Sequence, residues 1–385
     1  MGATKVITWH CLAVYSPLGD NLRRRLLLRT LLIALAIAAP ALAQEKGGED
    51  ETGPYEVAKG WPVPWSKAGY IWGSQPAVFA ESPDRIFIGA RGELKLPDTL
   101  PRGYNGIWGS LGQRATEPKA EFRNCLVVVD RQGKLIEAWT QWDQLFEGSG
   151  PHKIRISPYD PQKHVWVVND AKHQIYKFTN DGKQLVLTLG EAGVAGDDAT
   201  HFGMPQDLAF LPDGSFVVAD GLRNSRIAKF DKDGKFVSSF GTRGAEPGQL
   251  SGVHGIAVGK DGRIYVADRS NRRIQVFDAA GKVLDIWPNL RQPNDIFISA
   301  DDRVWVVDGT NARLLQFDPE GQRLYGWGAY GVQPGQFWEP HQISVDSEGN
   351  LYIADSFGGR TQKYTPMKSG DRTKRLVALA QGGVK

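Results

Sequence analysis

From Ser74 onward the chain alternates short apolar runs with polar turns, and no run carries a sustained apolar stripe at helical spacing. Runs such as Ile264–Ala267, Val304–Val307 and Leu351–Ala354 are rich in Val, Ile, Tyr and Trp, residues suited to a pleated, buried surface. Between them stand Asp-Gly and Ala-Gly pairs, for example Asp213-Gly214 and Asp261-Gly262, which are hairpin turn residues. The pattern predicts short antiparallel strands, with helices confined to the leader and loops.

The runs recur in a fixed order. Clear copies begin at Val253 and Pro293, and others at Met204, Pro340 and Pro151. A polar anchor precedes each first run, and an aspartate closes the second. Gln206 to Asp220, His254 to Asp268, Asn294 to Asp308 and His341 to Asp355 are each 14 residues apart. The copy anchored at His152 is stretched to 18, reaching Asp170, by a turn over Pro158 to Lys163. A further copy opens at Ser74 and aligns Ala90 with Asp268 and Arg91 with Arg269; an insertion over about 92–124 displaces its later strand. Six copies of roughly 40–54 residues predict an all-β fold, a six-bladed β-propeller with four-stranded antiparallel blades. A blade cannot bury both faces alone, so the closed ring over 72–385 is expected to be one domain. Closure needs a strand from one terminus. Tyr55–Val57, within a linker over 44–71, and Arg375–Leu379 are both short and apolar enough, and the pattern does not choose between them.

Candidate chemistry follows from the ring. His152, His254 and His341 occupy the anchor of the second, fourth and sixth copies, so they would stand roughly 120° apart around the axis and converge. The other histidines of the repeats, His164, His173 and His201, do not share the position. Three neutral imidazoles suit zinc and leave a fourth coordination place for water or substrate. A purely structural anchor that bonds a turn would also be polar, as Gln206 and Asn294 are. Arg91 and Arg269 occupy equivalent places at one mouth of the channel, where guanidinium groups could hold a carboxylate in two-point contact. Arg269 also admits a structural reading as a salt-bridge residue between blades, like Arg226, Arg273 and Arg313. The recurring aspartates are expected to fix turns or blade contacts.

The N-terminus reads as a secretory signal over 1–43: Arg23, Arg24, Arg25 and Arg29, an apolar stretch from Leu31 to Ala39, then Ala41-Leu42-Ala43. The order from Arg23 also suits twin-arginine export. The apolar stretch is short for a membrane span, so no stable span is expected after cleavage. An exported protein, periplasmic or extracellular, is the expectation. Removing the leader takes five basic side chains and one acidic one, turning the net charge from +3 to −1, so the basicity argues for no nucleic-acid partner. Cys11 leaves as well, and Cys125 alone cannot form an intrachain disulfide.

These repeats resemble NHL repeats, and their arrangement over 72 to about 365 resembles the peptidyl-α-hydroxyglycine α-amidating lyases. The resemblance rests on Pro151-His152, HFGMPQDLAF from His201, VVADGLRNSRIAKF from Val217, VADRSNRRIQVF from Val266 and Pro340-His341. It implies a zinc-dependent carbon–nitrogen lyase that splits a peptide's C-terminal α-hydroxyglycine into peptide amide and glyoxylate. His152, His254 and His341 would be zinc ligands, and Arg91 and Arg269 would hold the substrate carboxylate. Two positions depart from the family. Leu222 stands where the family has a tyrosine credited with proton transfer, and Gln342 replaces an aspartate that serves a structural calcium. Two other readings stay open. One is a non-catalytic binding propeller that engages a protein partner through the 92–124 insertion, a segment that could equally be a lid. The other is a metal-dependent hydrolase of small anionic substrates, with Asn294 and Asp295 offering oxygens to calcium.

Overall fold

The computed structural model describes residues 51–112 and 120–379; the leader expected over 1–43 lies outside the described residues. Each blade is a four-stranded antiparallel sheet. Blade 1 comprises Ala77–Ser82, Arg85–Gly89, Leu126–Val129 and Leu135–Ala138, and blade 2 Lys153–Ile156, Val165–Asn169, Gln174–Phe178 and Leu185–Leu189. Blade 3 runs from Pro205–Phe210 to Phe236–Phe240, blade 4 from Val253–Val258 to Val283–Trp287, and blade 5 from Pro293–Ile298 to Arg323–Trp327. Blade 6 holds Pro340–Val345, Leu351–Asp355 and Arg360–Pro366, and its outermost strand is Tyr55–Val57. The first strand of every blade touches the first strand of both neighbours, and the sixth returns to the first. The fold is therefore the six-bladed propeller that the repeat spacing predicts. Among the described residues no helix is long and apolar enough to cross a membrane.

The second strand of each blade shows why the runs are apolar throughout. Successive side chains point to opposite faces, and here both faces are interfaces. In blade 2, Val165 and Val167 pack toward blade 1, while Trp166 and Val168 pack toward blade 3. In blade 5, Val304 and Val306 face blade 4, and Trp305 and Val307 face blade 6. The core is thus six wedges between blades. Outer strands keep exposed apolar side chains such as Ile136, Val237 and Leu284, as a rim facing water allows.

The strand-end aspartates tie each second strand to the chain entering its blade. Asp268 accepts from Ser251 N at 2.7 Å and from Arg273 Nε at 2.7 Å; Asp220 and Asp355 do the same with Gly203 N and Arg226, and with Glu339 N and Arg360. Arg226 and Arg273 therefore pair within their own blades, not between blades as the sequence reading supposed. Asn169, not Asp170, fills this position in blade 2. Lys153 faces Val168, so the turn over Pro158 to Lys163 adds three residues to the spacing, and Asn169 accepts from Ser149 Oγ at 2.7 Å. Asp170 is displaced one residue further, with consequences at the channel mouth.

The ring is closed from the front. Tyr55 pairs with Pro366 and Val57 with Tyr364. The other candidate, Arg375–Leu379, is not a strand of any blade. Its Leu376 N donates to the buried Tyr55 hydroxyl at 2.9 Å, Val377 N donates to Ser299 Oγ at 2.6 Å, and Val377 O accepts from Ala300 N at 3.0 Å. It braces the closing strand against blade 5.

Candidate metal centre

Each anchor begins the innermost strand of a blade, which places its side chain in the channel. His152, His254 and His341 are all buried there. Their ring centroids lie 4.7–4.9 Å apart, and one ligand nitrogen from each falls within 4.8 Å of the others. The intervening anchors hold them. His152 Nδ1 bonds to Gln206 O at 2.8 Å, His254 Nδ1 to Asn294 O at 2.6 Å, and His341 Nδ1 to Pro76 O at 2.8 Å. A carbonyl can only accept, so Nδ1 carries the proton and Nε2 is left to offer its lone pair.

Electrostatics keep the rings neutral. Burial pushes His152 down to about 4, with Arg91 and Lys153 acting the same way against Asp170. Burial drives His254 and His341 well below the ordinary value; Arg269 adds to this at His254 and Lys153 at His341. Neutral, preoriented imidazoles whose ligand nitrogens lie within 4.8 Å of one another fit a transition-metal ion. The unpartnered amide oxygens of Gln206 and Asn294 lie buried at the same level.

The residue following each strand-end position forms the next tier outward: Arg91, Asp170, Gly221, Arg269, Gly309 and Ser356. Arg91 and Arg269 are thus on one tier, as their repeat positions imply. Arg91 acts on His152 and His341, and Arg269 on His254. Burial lowers the Arg269 pKa, while Glu339 and Asp170 raise it. Two acids here escaped the sequence reading. Asp170 Oδ1 lies 3.6 Å from Arg91 Nη2, and burial notwithstanding, His152 and Arg91 hold its carboxyl below the ordinary range. Glu339, raised by burial to about 7, accepts from Gln292 Nε2 at 2.8 Å. Glu339 stands two residues before His341 as Gln292 stands two before Asn294, a register visible in sequence. Leu222 is half-buried beside Gly221 and brings no proton-transfer group.

Below the histidines, the channel floor does not suit calcium. Gln342 Oε1 accepts from Val78 N and Ile154 N at 3.3 and 3.2 Å, and Nε2 donates to Ile154 O at 2.7 Å, so both amide atoms are engaged. The fully buried Lys153 ammonium lies 3.0 Å from Asp295 and donates to His341 O at 2.8 Å and Asn294 O at 3.2 Å. Arg155 grips Asp207 with two bonds and also reaches Asp295 at 2.5 Å. Although burial pushes the Asp295 carboxyl up, Arg155 and Lys153 hold it down. Two resident cations balance two aspartates where an ion would need free oxygens. The Asp295 carboxylate is therefore not free to serve calcium, contrary to the expectation from sequence.

The insertion is built onto the ring. Glu93–Lys95 pairs with Tyr70–Trp72, and Trp72, Leu94 and Trp108 form a small core of their own. Asn105 Nδ2 donates to Val332 O at 3.0 Å and Gly109 N to Gly358 O at 3.1 Å, reaching the loop of blade 6 two residues beyond Ser356.

A six-bladed ring with a histidine-lined axis and an arginine-bearing mouth defines the class: a propeller carrying a candidate metal centre. Residues 202–230 and 250–277 match the NHL repeat family. The chain is 33% identical over 161 residues to a probable peptidyl-alpha-hydroxyglycine alpha-amidating lyase of Caenorhabditis elegans, covering 40% of this chain and 43% of that one. It is 29% identical over 354 residues to peptidyl-glycine alpha-amidating monooxygenase B of Xenopus laevis, covering 88% of this chain and 39% of that protein. NHL repeat-containing protein 3 of Homo sapiens is 25% identical over 338 residues, covering 82% and 85%. The chain thus spans about two fifths of the length of the amidating relatives it matches. It is a six-bladed propeller that carries two matches to the NHL repeat and resembles the amidating lyases.

Proposed function

We infer that this protein is an exported, zinc-dependent lyase acting on the C-terminal α-hydroxyglycine of peptides or a closely similar small anion. The convergence of three buried, neutral imidazoles beneath Arg91 and Arg269 carries the reading. The amidating-lyase relatives and the N-terminal signal pattern support it. His152, His254 and His341 would hold the zinc, which when bound supplies a Lewis acid able to lower the pKa of a hydroxyl and polarise a developing carbonyl. Arg91 and Arg269 bind the carboxylate and fix the reacting carbon below the mouth. Collapse of the N–CH(OH) unit then forms the C=O bond and breaks the C–N bond. The nitrogen leaves with the electron pair and takes a proton, so no redox partner is needed.

The test is direct: leaderless protein is incubated with an N-acyl peptide ending in α-hydroxyglycine, and amide and glyoxylate are quantified. Equimolar products that vanish on chelation and return with zinc are expected. Background rates with zinc bound would overturn the reading. Leu222 favours a second one, a ligand-binding NHL propeller that keeps the centre without the chemistry. That reading predicts affinity for acyl-glycine peptides with no turnover.

A further inference from the structure

The tier of six residues above the histidines contains three charged side chains, and the only acid among them is Asp170. Its backbone position is equivalent to those of Arg91 and Arg269, the two groups that would hold a substrate carboxylate. The residue is 7% exposed, and its Oδ1 has no hydrogen-bond partner. Arg91 Nη2, at 3.6 Å, is beyond hydrogen-bond length. Asp170 shares the tier with both arginines, next to the tier of the histidines, and its charge is felt by His152 and Arg269 as well as by Arg91. A buried carboxylate oxygen without a donor is costly unless something else completes it. Glu339, the other acid near Arg269, is by contrast already bonded to Gln292.

We propose that Asp170 is the catalytic base of this protein, completed in the complex by the substrate hydroxyl, and that it does the work for which Leu222 leaves no group. The inference rests on the lyase reading above. In the step, Asp170 accepts the hydroxyl proton as the C=O bond forms and the C–N bond breaks. The same proton then passes to the departing amide nitrogen, which gives peptide amide and glyoxylate and regenerates the carboxylate. Placing the acceptor one blade away from the leucine is permitted because the mouth is a ring. Any of its six positions faces the same axis.

Asp170→Asn keeps the shape and removes the proton acceptor. It is compared with the parent for zinc content, for kcat and KM on an α-hydroxyglycine peptide, and for the affinity of an acyl-glycine peptide, which has the carboxylate but no hydroxyl. The expected result is a kcat lower by about 10²–10⁴-fold, with zinc content, KM and acyl-glycine affinity close to those of the parent. If Asp170 only positions Arg91, acyl-glycine affinity weakens and KM rises while kcat is held, and the inference is overturned. Zinc loss in the variant overturns it too, since Asp170 would then belong to the metal site. A zinc-loaded parent without turnover overturns the lyase reading and this inference with it. An active parent with an equally active variant overturns the inference alone.

Discussion

Acid should unfold the metal-free protein through its histidines, and the size of the effect follows from burial. In the unfolded chain His152 titrates near 6.5, whereas in the folded channel it is pushed down to about 4. As pH falls through this window the unfolded state takes up the proton first. Stability is therefore fully present above about 6.5 and is lost progressively toward 4. At pH 5 the gap corresponds to about 2 kcal/mol from His152 alone, and to about 3 kcal/mol once the window is crossed. His254 and His341 act in the same direction. Urea unfolding of the chelated protein at pH 7 and pH 5, for the parent and for His152→Gln, isolates the contribution, because carboxylate titrations elsewhere are common to both. The parent should lose about 2 kcal/mol more than the variant between the two pH values. Parallel losses would refute the reasoning, meaning that His152 is hydrated and titrates normally.

Three further outcomes are expected. Lys153→Met removes a buried ammonium and leaves Asp295 leaning on Arg155 alone, which should cost about 3–5 kcal/mol in urea unfolding. A calcium-specific chelator should leave the melting temperature unchanged, since Gln342 and the Lys153–Asp295 pair occupy the floor; a drop of several degrees would contradict that assignment. Tyr55→Ala should destabilise the ring by about 3 kcal/mol and speed proteolysis near residue 55, because the side chain is 1% exposed and its hydroxyl anchors Leu376.

Much of this architecture is legible in the residues themselves, for a local reason. A period of two between turns, repeated at 14-residue intervals from anchor to aspartate, predicts strands, blades and their number. The same repeat position puts His152, His254 and His341 on one axis, and Arg91 and Arg269 at one mouth. What escapes the sequence is set by contacts between distant segments. Lys153 meets Asp295 across the channel, 142 positions along the chain, and no spacing rule selects that partner. Tyr55 and Leu376 were indistinguishable as ring closers because strand pairing across more than 300 residues leaves no local mark. The 18-residue spacing aligns Asp170 with the strand-end aspartates because the Pro158–Lys163 turn hides the register. Only the pairing of Lys153 with Val168 moves it to the mouth.

The measurement that bears most directly on the account is the metal content of the leaderless protein, purified without chelator or affinity metal, beside that of His254→Ala. About one zinc per chain in the parent, lost in the variant while the ring remains folded, is the predicted result. A folded parent that holds no metal, or a variant that keeps it, would contradict the claim that the three histidines form a metal centre.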